Sequence, residues 1–272
     1  MSEIDREQAA ALLADWSRQD GLAPPELGED TQILRHERAG DLVGLALLND
    51  YGSGSEAGLW VRPDARRAGV GRALLAAITD DAGRRGRESF LLVCDRASAS
   101  GEAFARAVGA QFAFAEHAMA LDAALIERRR PRVPGLRLVP ADPDEAEMLA
   151  GIQAAAFNDP LDEARRHVAR GLATPTQQYV LGELNGEPVG LLRIGRYPSF
   201  ADVTAFGVLP ERQRRGIGRQ MLLAALDILL ADGWRDIRIE VESENHNALR
   251  LYESCGFRVR RSFGYYRVCV TG

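Results

Sequence analysis

The sequence predicts an α+β protein with mixed sheets, built as two tandem copies of one domain, and three observations carry that reading. The segment Val61-Arg62-Pro63-Asp64-Ala65-Arg66-Arg67-Ala68-Gly69-Val70-Gly71-Arg72 returns as Val208-Leu209-Pro210-Glu211-Arg212-Gln213-Arg214-Arg215-Gly216-Ile217-Gly218-Arg219, at an offset of 216 − 69 = 147. Upstream, Val43-Gly44-Leu45 matches Val189-Gly190-Leu191 at 190 − 44 = 146, so the second copy has gained one residue in between. The 272 residues, at about 150 per domain, make two domains.

The first copy, residues 1–125, opens directly with a helical pattern over 6–18 and lacks an opening strand. Residues 126–134, charged and holding Pro131 and Pro134, read as a solvated linker. The second copy, residues 135–272, alternates as a strand over 135–141, then has helical periodicity over 144–157 and 161–173 with Pro160 between. A hairpin follows, 178–184 and 189–194 around Asn185-Gly186. Next come a strand over 202–208, an amphipathic helix over 215–231 stopped by Gly233, and a strand over 236–242. A short helix over 247–254 stops at Gly256, and 257–270 reads as one or two strands.

Composition excludes several chemistries. The 34 basic residues are all Arg, so a Walker lysine and a lysine Schiff base are absent. A net charge of −5 argues against nucleic acid or an anionic membrane as partner. Cys94, Cys255 and Cys269 form no C-x-x-C pair and the four histidines are scattered, so neither a metal site nor a disulfide framework is expected. Without a signal-like N-terminus or an apolar stretch of ~20 residues, a cytoplasmic protein is expected.

Chemistry is most legible where a strand ends and a helix begins. Gln213 to Arg219 puts unpaired backbone N–H groups and the positive end of a helix at one spot, which suits an anion. Gly216 and Gly218 allow close backbone approach, and Arg214, Arg215 and Arg219 add charge. Met221 stands where a dinucleotide-binding G-x-G-x-x-G would need its third glycine. With Q-x-x-G-x-G at 213–218, R-x-x-G-x-G at 66–71, and Asn245, Ala248, Leu251, Tyr252, Gly256 and Phe257 spaced as N-x-x-A-x-x-L-Y-x-x-x-G-F, the chain resembles the GCN5-related N-acetyltransferases. The resemblance covers nearly all of the second copy and most of the first. It implies in each copy a central, mostly antiparallel sheet flanked by helices.

It further implies acetyl-CoA as co-substrate and direct transfer to a primary amine of a small molecule or protein N-terminus. The diphosphate would lie on N–H groups from Arg214 through Ile217 and Gly218 to Arg219, after Gln213. The pantetheine arm would run beside Phe206 and Val208, with the Val208 N–H polarising the thioester carbonyl and the Asn245 amide touching the arm. Tyr252 would protonate the departing thiolate. Asp202 is the expected base, since strict alternation puts it on one strand face with Thr204, Phe206 and Val208; Glu240 and Glu242 are rivals. A solvent-facing Asp202 and a Tyr252 that merely packs remain open, as does a non-catalytic acyl-CoA sensor.

The copies differ. Val61, Arg66, Arg67, Gly69, Gly71 and Arg72 repeat the loop, but at the 147 offset Tyr252 maps to Ala105, Asn245 to Ser98 and Asp202 to Ser55. The first copy is expected to bind CoA with little or no turnover.

Overall fold

The structure, a computed structural model, describes residues 3–25, 31–50, 54–126 and 133–270. Its first half holds α1 (Glu3–Asp20), β1 (Gln32–Arg38), β2 (Asp41–Asp50), β3 (Ser55–Val61), α2 (Val70–Arg84), β4 (Ser89–Asp95), α3 (Ala99–Ala107) and β5 (Gln111–Leu121). The second holds β6 (Leu136–Pro140), α4 (Ala146–Phe157), α5 (Leu161–Ala173), β7 (Gln177–Leu184), β8 (Glu187–Arg196), β9 (Ala201–Val208), α6 (Ile217–Ala231), β10 (Ile237–Glu242), α7 (His246–Ser254) and β11 (Phe257–Cys269). The mixed α/β class matches the sequence reading, and among the described residues α1 comes first.

The chain divides into two compact units, and their borders differ from those of the repeat. Unit 1 is Met1–Glu116 with Arg261–Gly272, and unit 2 is His117–Arg260. Each copy thus gives the end of its last strand to the other unit. The expected domains, 1–125 and 135–272, follow the repeat in sequence and miss this exchange. Residues 127–132 of the expected linker lie outside the described residues.

In unit 1 the strand order is β1-β2-β3-β4-β11-β5, antiparallel at β1–β2, β2–β3 and β4–β11 and parallel at β3–β4. Alternation along the strands produces two apolar faces. Val70, Leu74, Ile78 and Ala82 of α2 cover Val43, Ala46, Leu48, Ala57 and Phe90, while Ala9, Leu12 and Leu13 of α1 cover Leu45, Leu47 and Trp60. In unit 2 the order is β5-β10-β9-β8-β7-β6. There Ile217, Met221, Leu222, Ala225, Leu226 and Leu229 of α6 pack on one face. Leu149, Ala150, Ile152, Ala164 and Val168 of α4 and α5 pack on the other, over Tyr179, Leu181 and Leu191.

One irregularity shapes unit 2. Leu191 opposes Gly207 and Arg193 opposes Thr204, so β9 carries an extra residue. Ala205 takes φ 44, the left-handed region that costs a residue with a Cβ about 1–2 kcal/mol. The matching ladder in unit 1 runs from Gly44↔Val61 to Asp50↔Ser55 without a slip. Here lies the residue that changes the repeat offset from 146 to 147: Leu48 faces Ala57 and Ile194 faces Val203, yet Gly44 faces Val61 and Gly190 faces Val208. β11 is one unbroken strand, the single-strand option of the sequence reading, and Tyr265 and Tyr266 belong to unit 1. No helix among the described residues is long and apolar enough to cross a membrane.

Candidate active site

A fork lies beside the bulge. β9 and β10 pair in parallel from Ala201↔Ile237 to Val203↔Ile239 and no further, although β9 continues to Val208 and β10 to Glu242. A bulge bends its strand and sharpens the local twist, and this one begins just after the last β9–β10 pair. It also exchanges the faces. Ala201 and Val203 pack with α6 before it, and Phe206 and Val208 do so after it. Asp202 therefore lies on the face opposite Phe206 and Val208, against the expectation from alternation. Its Oδ1 accepts the Gly195 N–H at 3.1 Å. Burial raises the carboxyl pKa, with Arg193, the Gly195 N–H and Arg238 pulling the other way. Beside it Arg193 Nε donates to Thr204 Oγ1 at 3.0 Å.

Gly207 faces α4 so closely that a Cβ there would lie 2.6 Å from the Ala156 Cβ and 3.2 Å from the Phe157 ring. The Phe157 ring, 44% exposed, stands beside this bare backbone.

After β9 the chain makes one 3-10 turn, Pro210–Arg212, and Gln213 Nε2 donates to the Val208 carbonyl at 2.9 Å. Arg214 at φ 61 and Gly216 at φ 80 then turn the backbone into the start of α6. Among the described residues no protein acceptor meets the N–H groups of Arg214, Arg215, Gly216, Ile217 or Gly218. Successive unpaired amides at a helix N-terminus form an anion-binding concavity. The Ile217 side chain is buried in the core, while the side chains of Arg214 and Arg215 are exposed. Arg219 departs from expectation. Its guanidinium donates to Ser254 Oγ and to the Ser254 carbonyl, both at 3.3 Å, which ties α6 to the end of α7. Gly218 sits between fork and loop, where the nearest atoms a Cβ would meet belong to Val208, Phe206 and Leu251 at 3.4–3.7 Å.

Asn245 is the N-cap of α7, its Oδ1 accepting the Ala248 N–H at 3.1 Å, which leaves its amide NH2 for a ligand. One side of α7 carries Tyr252, 6% exposed, between the rings of Phe206 at 6.1 Å and Phe257 at 6.3 Å. Its hydroxyl has no protein hydrogen-bond partner among the described residues. Burial, with a smaller contribution from Cys255, pushes the phenol pKa well above its ordinary value, so the group holds its proton. Cys255 itself is fully buried, as expected of a structural thiol.

Unit 1 repeats the frame and alters the chemistry. Arg67 at φ 60 and Gly69 at φ 86 reproduce the loop backbone, and among the described residues the N–H groups of Arg67 to Gly71 again meet no acceptor. Arg66 does the work of Gln213, donating to the Val61 carbonyl at 3.3 Å while paired with Asp20. Arg72 reaches the Ala107 carbonyl as Arg219 reaches that of Ser254, and Ser98 caps α3 as Asn245 caps α7. A fork is present, since β3 and β4 pair at Glu56↔Leu91 and Ala57↔Leu92 only. The bulge is missing, so the counterpart of Asp202 is Glu56 and the expected mapping to Ser55 is one residue off. Ala105 replaces Tyr252, and Tyr266 of β11 packs with it, donating to Glu102 at 2.7 Å.

Sequence reasoning missed the bulge and the position of Glu240. The register puts Asp202 level with Arg238, so Glu240 comes level with Thr204 where the strands part, its side chain exposed. The one-residue change of offset was the available signal.

Comparison with known proteins agrees with this geometry. The profile of the Acetyltransferase (GNAT) family matches residues 2–110 and 146–257. A mycothiol acetyltransferase of Actinosynnema mirum is 31% identical over 281 residues, covering 93% of both chains. One from Clavibacter sepedonicus is 30% identical, covering 93% of this chain and 86% of its own. The N-alpha-acetyltransferase RimI of Mycobacterium tuberculosis is 38% identical over 46% of this chain and 80% of its own. In fold, a tandem GNAT protein from the clavulanic acid biosynthesis pathway superposes with TM-score 0.73 at 21% identity, covering 98% of this chain and 95% of its own. Two matched regions, one per copy, together span most of the sequence, so the chain belongs to the GNAT family and is an acetyltransferase that acetylates amines.

Proposed function

We propose that unit 2 carries the transfer, and that its residues act on acetyl-CoA and an amine held together. The observation that carries this reading is the meeting of three unsatisfied features along one route: the loop amides of Arg214 to Gly218, the fork beside Val208, and the unpartnered hydroxyl of Tyr252. The loop suits the diphosphate of CoA, with Arg214 and Arg215 at its rim. The open edges of β9 and β10 suit the amide-bearing pantetheine arm, and the Asn245 amide NH2 is available to it. The Val208 N–H is the donor for the oxygen that becomes negative as the amine adds to the thioester carbon.

The chain's own groups balance the protons. The C–N bond forms as the C–S bond breaks; the amine gives a proton to a carboxylate, and Tyr252 gives one to the departing thiolate. We assign the base to Glu240 at the fork instead of Asp202, which sits where β9 and β10 are still paired and accepts the Gly195 N–H. The relatives named above are mycothiol acetyltransferases and an N-alpha-acetyltransferase, and the acceptor assigned here is a primary amine of a small molecule or of a protein N-terminus. Unit 1 is assigned the same donor without transfer, because its loop is intact and its bulge and helical tyrosine are absent.

The test is release of free thiol from acetyl-CoA across a panel of small amines, amino sugars and short peptides. Amine-dependent release supports the reading. Binding of acetyl-CoA with no release for any amine would overturn it in favour of a sensor.

A further inference from the structure

One level of the sheet is polar in unit 2 and apolar in unit 1. The register sets Tyr179 of β7, Arg193 of β8 and Thr204 of β9 side by side. The equivalent level of unit 1 holds Ile33, Leu47 and Gly58, with the six-membered ring of Trp60 lying where a Cβ of Gly58 would stand. Unit 2 instead buries a phenol there. Tyr179 is 2% exposed and its hydroxyl has no hydrogen-bond partner among the described residues, an arrangement that costs stability. Arg193 lies over that ring, its guanidinium carbon 5.7 Å from the centroid, while its Nε donates to Thr204 Oγ1 at 3.0 Å. α5 closes over both, since a Cβ on Gly171 would come within 2.9 Å of Arg193 Nη1 and 3.0 Å of the Tyr179 hydroxyl. The guanidinium is thus held in place, yet among the described residues no carboxylate forms an ion pair with it. Asp202, on the same face, is held by the Gly195 N–H.

We propose that Arg193 binds a carboxylate of the acceptor, so that unit 2 acetylates short amino acids, molecules with an amine and a carboxylate a few bonds apart. This rests on the reading of unit 2 as the transferring unit with Glu240 as base, and narrows its acceptor. Ile239 and Val241 pack with α6, which puts Glu240 on the face of Arg193, and the register brings it level with Thr204. Arg193 and Glu240 therefore flank Thr204, two strand positions apart and at least about 10 Å from each other at the backbone. An ammonium beside Glu240 and a carboxylate beside Arg193 meet an opposite charge at each end of that row. Solvent reaches this level, where Arg193 and Thr204 are half-buried and Glu240 is exposed, whereas Ala156 and Phe157 of α4 bury the same face further along at Gly207. A guanidinium already fixed by Thr204 and Tyr179 offers its remaining N–H groups to a carboxylate at little further cost in side-chain freedom. Leu47 stands at this position in unit 1, which has no equivalent cation there.

The test is acetylation of glycine, β-alanine and γ-aminobutyrate by the full chain, each against its own carboxamide, followed as thiol release from acetyl-CoA. At least one of these amino acids is expected to exceed its carboxamide by about 100-fold in kcat/KM, the size of a hydrogen-bonded charge pair. In Arg193→Gln that preference is expected to vanish. Arg193→Met keeps the stem over the Tyr179 ring, is expected to lose the preference too, and serves if the glutamine variant does not fold. Partial unfolding lowers both rates together, and the difference in amine basicity between acid and amide cancels when two chains are compared, so the ratio reads the carboxylate contact alone. Thiol release with amino sugars or peptides but with none of these amino acids, or with amino acids and carboxamides alike, overturns this inference and leaves the transfer reading standing. A preference that survives in a folded Arg193 variant does the same. No thiol release with any amine overturns both.

Discussion

Tyr252→Phe separates a catalytic phenol from a packing one, because the structure fixes what the substitution removes. The ring contacts with Phe206 and Phe257 stay, and only the hydroxyl goes. Since that hydroxyl has no protein partner among the described residues, its loss orphans nothing. Folding stability should therefore be unchanged or raised by up to about 1 kcal/mol, or roughly 2–4 °C in melting temperature. Catalysis should move the other way. A positioned proton donor contributes roughly 10²–10⁴ in rate, and a thiolate leaving group of pKa about 8.5 needs it less than an alkoxide would, so a fall in kcat of about 100-fold, near 2.7 kcal/mol of barrier, is expected. KM for acetyl-CoA should hold, since the interaction develops only as the C–S bond breaks. The assay is thiol release at saturating amine, with a thermal melt of the same preparation. A kcat within threefold of the unaltered chain, at unchanged stability, refutes the reasoning and returns Tyr252 to the core.

Three further outcomes are expected. Glu240→Gln should lower kcat/KM for the amine by about 100-fold, while Asp202→Asn stays within about threefold because its amide oxygen can still accept the Gly195 N–H. The raised pKa of Asp202 means the folded state holds its proton more tightly than the unfolded chain, so the charged carboxylate is a burden above the raised pKa. Asp202→Asn should thus melt no lower than the unaltered chain near pH 7, the gap closing as pH falls through that pKa. Ala205→Gly should gain about 1 kcal/mol by relieving the left-handed conformation and keep activity; deletion of Ala205 should restore the unbulged ladder of unit 1 and abolish transfer while acetyl-CoA still binds the loop. Burial raises the phenols of Tyr179, Tyr252 and Tyr266, the last to about 12. Unfolded phenols lose their protons near pH 10, so the melting temperature should fall as pH rises beyond about 10; a flat profile from pH 9 to 11 refutes their burial.

Much of the site was legible because its signals are short-range. The loop glycines Gly69 and Gly216 and the stop at Gly256 each depend on a few consecutive residues. Repetition at a fixed offset turned a weak glycine pattern into a specific one. Asp202 was misread because a strand's faces follow simple alternation only while its ladder is regular, and regularity is a property of the partner strand. The guanidinium of Arg219 was misread because its carbonyl partner lies on another helix.

The sequence by itself determined the number of copies, the order of their elements, the loops and the motif that marks the family, since all of these are written in spacing along the chain. Only the tertiary structure decided that each copy's last strand completes the other unit, that one inserted residue becomes the bulge at Ala205, and that Trp60 lies over Gly58 while Gly207 is buried against Ala156 and Phe157 of α4. Those outcomes turn on which strand pairs with which and on what volume remains between packed faces, and pairing and volume are set by residues far apart in sequence.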